Sequence, residues 1–421
     1  MTSTELLELL VLFSVGYPSL MATIWISGGL YYYFHWERRQ SRETVTPSRE
    51  DDPWVTVLVP CHNEAAHIDE TIGHLFRQNY LNYEVIAIND GSRDDTGARL
   101  DALARQYANL TVLHQANQGK AAAMNNGLHH AHGEIVVGID GDAVLDYDAL
   151  FWMVAHFRQS PRVGSVTGNP RVRTRSTAIG KIQTGEFSSI IGLIKRAQRI
   201  YGMVFTISGV VCAFRRSALQ QVGAWSTDMI TEDIDVSWKL QLAGWQVRYE
   251  PRAVCWVLMP ETLRGLYRQR LRWAQGGAEA FLRHLSAALH WRNRRFWPLL
   301  VEYVISVTWC YGMLVLATLW VVDLAMAAPV SSWSPLEALL RWSGGLLVML
   351  CLLQFAVSFF IDSRYDRAML KCLFWCIWYP FFYWLINMAT VVVAFPKAVV
   401  RRRGQLAIWT SPDRGERFRE P

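Results

Sequence analysis

The sequence has little charge for its length, and its cysteines lack the spacing of a metal or redox motif. Asp, Glu, Lys and Arg make up only 19% of the 421 residues, whereas 51% are hydrophobic and 13% aromatic. The seven cysteines form no pair with zinc or redox spacing, and there is no internal repeat or low-complexity segment. The chain is therefore too apolar for an ordinary soluble domain of this size, and neither a zinc motif, a redox dithiol nor a repeat array is expected.

Charge is missing from whole stretches of the chain. Leu9 to Phe34 carries none over roughly 26 residues, enough to cross about 30 Å of hydrocarbon at about 1.5 Å per residue. Further long apolar stretches follow at about Pro298–Val322, Leu346–Ile361 and Cys372–Phe395. A cleaved signal peptide is the alternative for the first stretch, but its length and acidic start favour a membrane anchor.

Basic residues follow this first stretch. Arg38, Arg39, Arg42 and Arg49 indicate that the flank lies in the cytoplasm, and the net charge of +6 fits arginines beside an anionic leaflet. Because the basic residues lie next to apolar stretches, we expect no nucleic-acid partner. Three cysteines of the following block are then expected to be free thiols, namely Cys61, Cys212 and Cys255.

A block of about 260 residues separates the first two apolar stretches and is large enough for a catalytic core. In it, short β-branched runs alternate with segments of helical length. The predicted strands are Trp54–Val59, Glu84–Ile88, Leu110–His114 and Glu134–Ile139, and the predicted helices are Glu64–Gln78, Asp94–Tyr107 and Lys120–His132. This alternation predicts a parallel sheet covered on both faces, with ligands bound at the carboxyl ends of its strands.

Polar motifs occur at those strand ends. Asp140-Gly141-Asp142 follows a Val-Val-Gly-Ile strand, where two carboxylates could hold Mg²⁺ or Mn²⁺ against a nucleotide diphosphate. A solvated acidic turn is the alternative. Asp90 could accept hydrogen bonds from the base or ribose, and Pro60 and Glu64 could form a wall beside the same base. Lys120 could reach a phosphate as a point charge, or simply begin a helix.

A second acidic motif, Thr231-Glu232-Asp233, suits a different role. Transfer to an acceptor hydroxyl requires removal of its proton, and Asp233 is the candidate general base. Glu232 and Asp235 could be surface charges. An acidic cluster at a helix N-terminus is compatible with either interpretation.

The segment from Leu263 to about Arg294 interleaves leucines and aromatics with arginines, which is typical of an amphipathic helix in the membrane interface. Within it, Arg272 could pair with diphosphate and Trp273 could present a flat face to a sugar ring. An interface anchor is the alternative for Trp273.

After this helix, three full crossings would leave Arg401–Arg403 outside, against the positive-inside tendency. The last apolar stretch contains Pro380 and could break into an interfacial and a re-entrant or crossing piece.

In this order, the motifs resemble those of the processive family-2 β-glycosyltransferases, which include cellulose, chitin and hyaluronan synthases. Within that family they are most similar to the poly-β-1,6-N-acetyl-D-glucosamine synthases. The similar segments run from about Pro53 to Gly415 and include Thr167–Ser176, Gly180–Gln183, Ser188–Arg196, Trp225–Leu242 and Trp409–Gly415.

The resemblance implies an α/β fold of GT-A type, a mostly parallel Rossmann-like sheet in a cytoplasmic domain, with transmembrane helices at both ends and interfacial amphipathic helices. It implies a membrane anchor and linker at 1–48, the GT-A domain at 49–260, interfacial helices at 261–295, transmembrane helices at 296–400 and a basic cytoplasmic tail at 401–421.

The resemblance also implies residue roles. Asp233 would be the catalytic base, and Asp140 and Asp142 would hold Mg²⁺ or Mn²⁺. Donor-binding roles would fall to Asp90 and Asp140, and acceptor and diphosphate roles to Ser208, Gly209, Gln269, Arg272 and Trp273. From their positions in the sequence, Pro60, Glu64 and Lys120 are added as candidates for the donor side and Glu232 for the acceptor and diphosphate side.

By the same resemblance, the donor is UDP-N-acetylglucosamine and the product an exported, β-1,6-linked biofilm polymer, made at the inner membrane of the cell. A small two-span partner subunit with cyclic di-GMP at the interface is also implied. The chain lacks the long C-terminal extension of bacterial cellulose synthase, so activation is expected to depend on the partner. The alternatives are another membrane β-glycan synthase, a non-processive transferase that loads sugar onto a lipid phosphate, and an inactive membrane scaffold.

Overall fold

The computed structural model describes residues 3–40, 51–326, 334–402 and 404–408. The strands are β1 Val55–Cys61, β2 Tyr83–Asp90, β3 Leu110–Gln115, β4 Ile135–Ile139, β5 Val144–Leu145, β6 Val163–Val172, β7 Val211–Arg215 and β8 Gln246–Val257. The helices before the amphipathic segment are α1 Ser3–Tyr32, α2 Ile68–Leu75, α3 Thr96–Ala104, α4 Lys120–His130, α5 Ala149–Gln159, α6 Ala178–Glu186, α7 Ile194–Ile200, α8 Arg216–Gln221 and α9 Glu232–Leu242. They are followed by α10 Leu263–Leu289, α11 Trp297–Met326, α12 Ser334–Asp362 and α13 Tyr379–Val400. Two π-helical segments (Tyr33–Glu37 and Phe187–Leu193) and two 3₁₀ segments (Trp291–Phe296 and Arg367–Trp378) complete the described elements.

Within the described residues, eight strands form one sheet in the order β3-β2-β1-β4-β7-β6-β8-β5. The pairs β1–β2, β1–β4, β2–β3 and β6–β8 are parallel, whereas β7 is antiparallel to β4 and β6. Every residue of β1 is buried, as expected for a strand covered on both faces. One hydrophobic core lies on each face of the sheet.

The four strands and three helices expected from the sequence are all present. Observed strand ends differ from the predicted ones by at most two residues, and the helix after β1 is shorter, beginning at Ile68 and ending at Leu75. The sheet is mostly parallel, as expected, but it is mixed, because β7 runs antiparallel to β4 and β6 and β5 runs antiparallel to β8. The carboxyl ends of β1, β2 and β4 lie together, so the motifs that follow them meet at one edge.

Helix α10 is the predicted amphipathic helix, and it packs closely on the acidic motif that begins α9. Its first turn is capped by Thr262, whose hydroxyl accepts a hydrogen bond from Gly265 N at 3.1 Å. Gly276 makes the close approach possible, because a Cβ there would overlap the Thr231 side chain. The sequence therefore brings Arg272 and Trp273, one turn earlier on α10, beside the end of the sheet.

Four helical segments in the described residues are long and apolar enough to cross a membrane: Glu5–Glu37, Trp291–Val322, Gly344–Asp362 and Phe382–Val400. The last predicted stretch is broken, as the sequence allowed, into the 3₁₀ segment Arg367–Trp378 and α13. Both ends of α13 contact the catalytic block or α10. Near its start, Tyr383 donates to Ile179 O at 3.2 Å, and just after its end Arg401 pairs with Glu279 at 2.7 Å. Arg401 therefore lies beside α10, and Gly404, which donates to Asp228 at 3.1 Å, lies beside the sheet domain.

Several residues named from the sequence, namely Arg42, Arg49, Arg403 and Trp409–Gly415, lie outside the described residues.

Four fully buried charged side chains join the membrane helices to the sheet. Arg196 of α7 pairs with Glu37 at 2.7 Å and with Asp362 at 2.8 Å, and Arg171 of β6 pairs with Asp362 at 2.7 Å. Tyr365 also donates to Glu37 at 2.7 Å. We call Glu37, Arg171, Arg196 and Asp362 the buried charge cluster. It ties the ends of α1 and α12 to the catalytic block.

Candidate active site

The edge of the sheet beyond β1 and β4 brings together the first group of predicted site residues. A Cβ at Gly141 would lie 3.0 Å from Glu64 Cγ and 3.4 Å from Pro60 O, so these residues surround the Asp140-Gly141-Asp142 turn. Glu64 is buried, and Asp140 and Asp142 are partly exposed. The structure therefore places Pro60 and Glu64 against the acidic turn.

Asp90, at the end of β2, is fully buried and holds the loop before α4. Its carboxylate accepts hydrogen bonds from Gln115 Nε2 at 2.8 Å, from Gln118 N at 2.9 Å and from Gly119 N at 2.9 Å. Gly119 has a φ of 93°, which favours glycine. In this structure Asp90 thus fixes the backbone from which Lys120 extends.

Lys120 lies among the carboxylates of both acidic motifs. Its Nζ is 2.5 Å from Asp140 Oδ1 and 3.3 Å from Glu232 Oε1, and it donates to Gly209 O at 3.1 Å. Burial lowers the pKa of Lys120, but the charges of Asp140 and Glu232 outweigh burial and raise it above its ordinary value. Lys120 is therefore a cation at the junction of the two acidic motifs.

Asp233 lies on the first turn of α9, facing the turn at Ser208 and Gly209. Gly209 N donates to Asp233 Oδ2 at 3.2 Å, and a Cβ at Gly209 would lie 3.1 Å from the same oxygen. Burial and the charge of Glu232 raise the pKa of Asp233 to about 6, although Lys120 and Arg272 oppose the shift. A carboxylate with a pKa near 6 is a stronger base than an ordinary aspartate and is still ionised at neutral pH.

Gln269, Arg272 and Trp273 lie on α10 beside this group, with different exposures. Arg272 is exposed, whereas Gln269 and Trp273 are partly buried. Trp273 packs against the core of the sheet, with its ring 6.4 Å from that of Phe187. Arg270, which forms a buried ion pair with Glu186, has its guanidinium carbon 4.2 Å from the centre of the Trp273 ring. Trp273 therefore packs partly buried against the sheet domain, a position that favours a role at the site over that of a lipid anchor.

The residues present fit a divalent cation held partly by its substrate. In the described part of the chain, no group of three or more His, Cys, Asp and Glu side chains could hold a metal. Burial and the charge of Asp142 raise the pKa of Asp140, despite the opposing charge of Lys120. This clustering of negative charge is what a bound cation would relieve, and Mg²⁺ commonly takes only one or two carboxylates together with phosphate oxygens.

Two features of the site were not predicted from the sequence. Lys195 is buried and donates to Ser208 Oγ at 2.7 Å. The sequence signal for this burial was the presence of a lysine and an arginine side by side in the otherwise apolar run Ile190–Arg196. Charged side chains in such a run need polar partners inside the protein. The second feature is the segment 404–408, which returns to the sheet domain: Ala407 N donates to Thr227 O at 3.0 Å, and its carbonyl packs on Gly119. Nothing local in the sequence indicates that contact.

Comparison with known proteins identifies similar chains. Residues 52–276 match the family described as Glycosyltransferase like family 2. The chain is 41% identical over 407 residues to a poly-β-1,6-N-acetyl-D-glucosamine synthase of Staphylococcus epidermidis, covering 96% of this chain and 98% of that protein. It is 42% identical over 404 residues to the protein of the same name from Staphylococcus aureus, with the same coverage.

Among solved structures, the chain is similar to the mannosyltransferase PcManGT from Pyrobaculum calidifontis in complex with GDP-Man and Mn²⁺. The TM-score is 0.63 at 23% identity, and the match covers 93% of this chain and 99% of that one. At this identity the likeness supports the fold alone, and it confirms the GT-A architecture expected from the sequence.

Proposed function

Because the chain belongs to family 2 of the glycosyltransferases, among the poly-β-1,6-N-acetyl-D-glucosamine synthases, we propose that it polymerises N-acetylglucosamine from UDP-N-acetylglucosamine and exports the β-1,6-linked chain for a biofilm matrix. The observation that carries this proposal is the meeting of the two acidic motifs at Lys120, beside Trp273 of α10. This arrangement combines a diphosphate-binding turn, a base and an aromatic surface within one site.

In the proposed reaction, Asp233 accepts the proton of the acceptor hydroxyl. The acceptor oxygen bonds to the anomeric carbon as the bond from that carbon to the diphosphate breaks, and the bonding electrons leave with UDP. The new linkage is inverted relative to the donor. A positioned base is worth about 10² to 10⁴ in rate. The hydrogen bond from Gly209 N orients the Asp233 carboxylate, and Ser208 and Gly209 form the acceptor side of the site.

The donor is proposed to bind along the sheet edge. Pro60, Glu64 and Asp90 flank the nucleotide, Asp140 and Asp142 would hold Mg²⁺ or Mn²⁺, and the metal when bound offsets charge on the leaving diphosphate. Lys120 and Arg272 supply further positive charge to the phosphates, with Gln269 and Glu232 at the same end. Trp273 offers its ring to the acceptor sugar.

Several aspects of the cellular setting are part of the same proposal. The protein would be a multi-pass protein of the cell inner membrane with its sheet domain in the cytoplasm, which the four membrane-length helices and the basic flank of α1 support. A small two-span subunit, with cyclic di-GMP at the interface, is proposed from the family resemblance. Loss of cyclic di-GMP stimulation when the protein is purified without a partner, and its return when both are produced together, would test this.

The activity is tested with purified protein in lipid nanodiscs supplied with Mg²⁺ and radiolabelled UDP-sugars, one at a time. We expect high-molecular-weight product from UDP-N-acetylglucosamine alone, with 6-linked residues by methylation analysis. A polymer from UDP-glucose or from paired UDP-sugars would identify another β-glycan synthase. A single sugar transferred to lipid phosphate would identify the non-processive alternative, and absence of both transfer and donor hydrolysis would favour the scaffold.

A further inference from the structure

Lys195 carries a buried amine next to the proposed base. It lies on α7 directly after the π-helical segment Phe187–Leu193, and only 5% of its surface is exposed. Its Nζ donates to Ser208 Oγ at 2.7 Å and to Thr167 Oγ1 at 3.2 Å. Arg196, the next residue, belongs to the buried charge cluster, so two adjacent cations of one short helix serve different parts of the protein.

The surroundings of Lys195 are unusual for a buried ammonium. Among the described residues, no carboxylate lies within 4.0 Å of its Nζ, so its two recorded partners are neutral hydroxyls. Burial lowers the pKa of Lys195 to about 7, although the charge of Asp233 raises it. Burying an ammonium without a counter-ion costs stability. A residue kept at that cost is more readily explained by the site than by the fold.

A short chain of hydrogen bonds leads from Lys195 to the base. Lys195 holds Ser208 Oγ, and Ser208 N donates to Thr167 Oγ1 at 2.8 Å, which fixes the turn from both its side chain and its backbone. The next residue of the turn, Gly209, donates its N–H to Asp233 at 3.2 Å and accepts from Lys120 through its carbonyl. The turn therefore contacts both Asp233, the proposed base, and Lys120, the proposed phosphate-binding lysine.

We propose that Lys195 is a positioning residue that holds the Ser208–Gly209 turn against Asp233, so that the base faces the acceptor hydroxyl. This inference rests on the proposed function, because it gives Asp233 the role of base. Its flexible stem lets the ammonium reach two hydroxyls at once, and π-helical segments such as the one before it are frequent at functional sites.

The experiment compares wild type with Lys195→Met, Ser208→Ala and the double variant, in nanodiscs. For Lys195→Met, we expect kcat for sugar transfer to fall by about 10- to 100-fold, as for a small misplacement at a reacting group. KM for the donor should change by less than about twofold, since Lys120 keeps its pairs with Asp140 and Glu232 when the turn shifts. The melting temperature should not fall, because an apolar side chain replaces a buried ammonium. Lys181→Met, at a partly exposed lysine outside the site, is the control and should match wild type.

The double variant tests whether Lys195 acts through the turn. If it does, Lys195→Met with Ser208→Ala should be no slower than Lys195→Met alone, because the second change removes a contact already lost. Multiplying effects would overturn the inference. So would a lower melting temperature for Lys195→Met, failure of this variant to insert, or equal losses in transfer and donor hydrolysis, since each indicates a structural lysine.

The donor in these assays is the nucleotide sugar that wild type turns over, as found in the substrate screen. A wild type that rejects UDP-N-acetylglucosamine therefore overturns the proposed function. The comparison of variants on the accepted donor still decides the role of Lys195.

Discussion

Asp140 and Asp142 have different surroundings although a single glycine separates them. Lys120 contacts Asp140 directly, whereas Asp142 influences the site through its charge on Asp140. Both are expected to be needed to hold a cation, because Mg²⁺ is bound by only one or two carboxylates together with phosphate oxygens, so the loss of either removes much of the protein's share of its ligands.

We therefore expect Asp140→Asn and Asp142→Asn each to abolish polymer synthesis and to weaken the Mg²⁺ or Mn²⁺ dependence of donor binding. Titrating each metal into variant protein with a fluorescent UDP-sugar measures this. Asp146→Asn is a nearby control, since Asp146 caps its neighbour's N–H at 3.0 Å and lies outside the turn. Normal turnover by either site variant would count against the metal role.

The raised pKa of Asp233 gives the enzyme a predictable pH profile. A general base works only when deprotonated, so kcat/KM should fall as the pH drops through about 6 and level off above it. Arg272 is among the charges that lower this pKa. Arg272→Gln should move the acidic limb to higher pH, whereas Arg272→Lys keeps the charge and should leave it in place. An acidic limb that stays fixed in Arg272→Gln would show that another group titrates.

Asp233→Asn, which removes the proposed base, should retain donor affinity and lose transfer.

At the scale of single elements, the approach of α10 to α9 depends on one glycine. A Cβ at Gly276 would overlap the Cβ and Cγ2 of Thr231 as well as its hydroxyl, so no change of rotamer relieves the clash. At neighbouring Gly277, the nearest atom to a Cβ is 3.8 Å away.

Gly276→Ala should therefore push α10 away from the Thr231 motif and lower transfer by about tenfold or more, as expected when reacting groups are misplaced by an ångström. Gly277→Ala, which adds the same methyl group one residue later, should remain active. Polymer yield per inserted protein measures both variants. Equal activity would mean that α10 tolerates a shift and does not position the site.

Two tryptophans, Trp273 on α10 and Trp291 just after it, allow a variant and its control to be compared. Trp273 packs partly buried against the sheet core, whereas Trp291, after the end of α10, is 66% exposed. Trp273→Ala should shorten or abolish the polymer while sparing donor hydrolysis, because a flat ring holds a sugar yet lets it slide. Trp291→Ala should leave polymer length unchanged. Full-length polymer at the normal rate from well-inserted Trp273→Ala would exclude the acceptor role.

The parallel half of the sheet could be predicted from the sequence because its strands are β-branched runs separated by helices. Strand β6 could not, since Gly168, Asn169 and Pro170 interrupt it and its polar residues are nevertheless buried. The Asp140-Gly141-Asp142 motif could be located because it follows a predicted strand, and Thr231-Glu232-Asp233 because it is an acidic cluster typical of a helix N-terminus. Lys195 was missed because its partners, Thr167 and Ser208, carry no charge to signal a pairing.

At the scale of the whole molecule, the contacts of α13 bring residues 404–408 back to the sheet domain. With both ends of α13 against the sheet domain or α10, we expect Arg401, Arg402 and residues 404–408 to lie on the same side of the membrane as the active site. The last turn of α11, which includes Ala325, is then expected on the other side. This arrangement agrees with the positive-inside tendency for Arg401 and Arg402.

Single cysteines introduced into a cysteine-free variant test the arrangement. We expect Ala325→Cys, in the last turn of α11, to react with a membrane-impermeant maleimide added to intact spheroplasts. Gln405→Cys should react only after the membrane is opened. Labelling of Gln405→Cys from outside would mean that α13 crosses the bilayer.

The buried charge cluster has a practical consequence for how this enzyme can be handled. Arg171 and Arg196 come from the sheet domain, whereas their carboxylates come from the π-helical segment after α1 and from the end of α12, more than 300 residues apart in the chain. Breaking a buried ion pair by removing one partner costs about 3–5 kcal/mol. A water-soluble fragment trimmed to the sheet domain would lose both acids together, leaving two unmatched guanidinium groups at the cut surface. Crystallisation or inhibitor screening should therefore begin from the intact chain in lipid rather than from an excised catalytic domain.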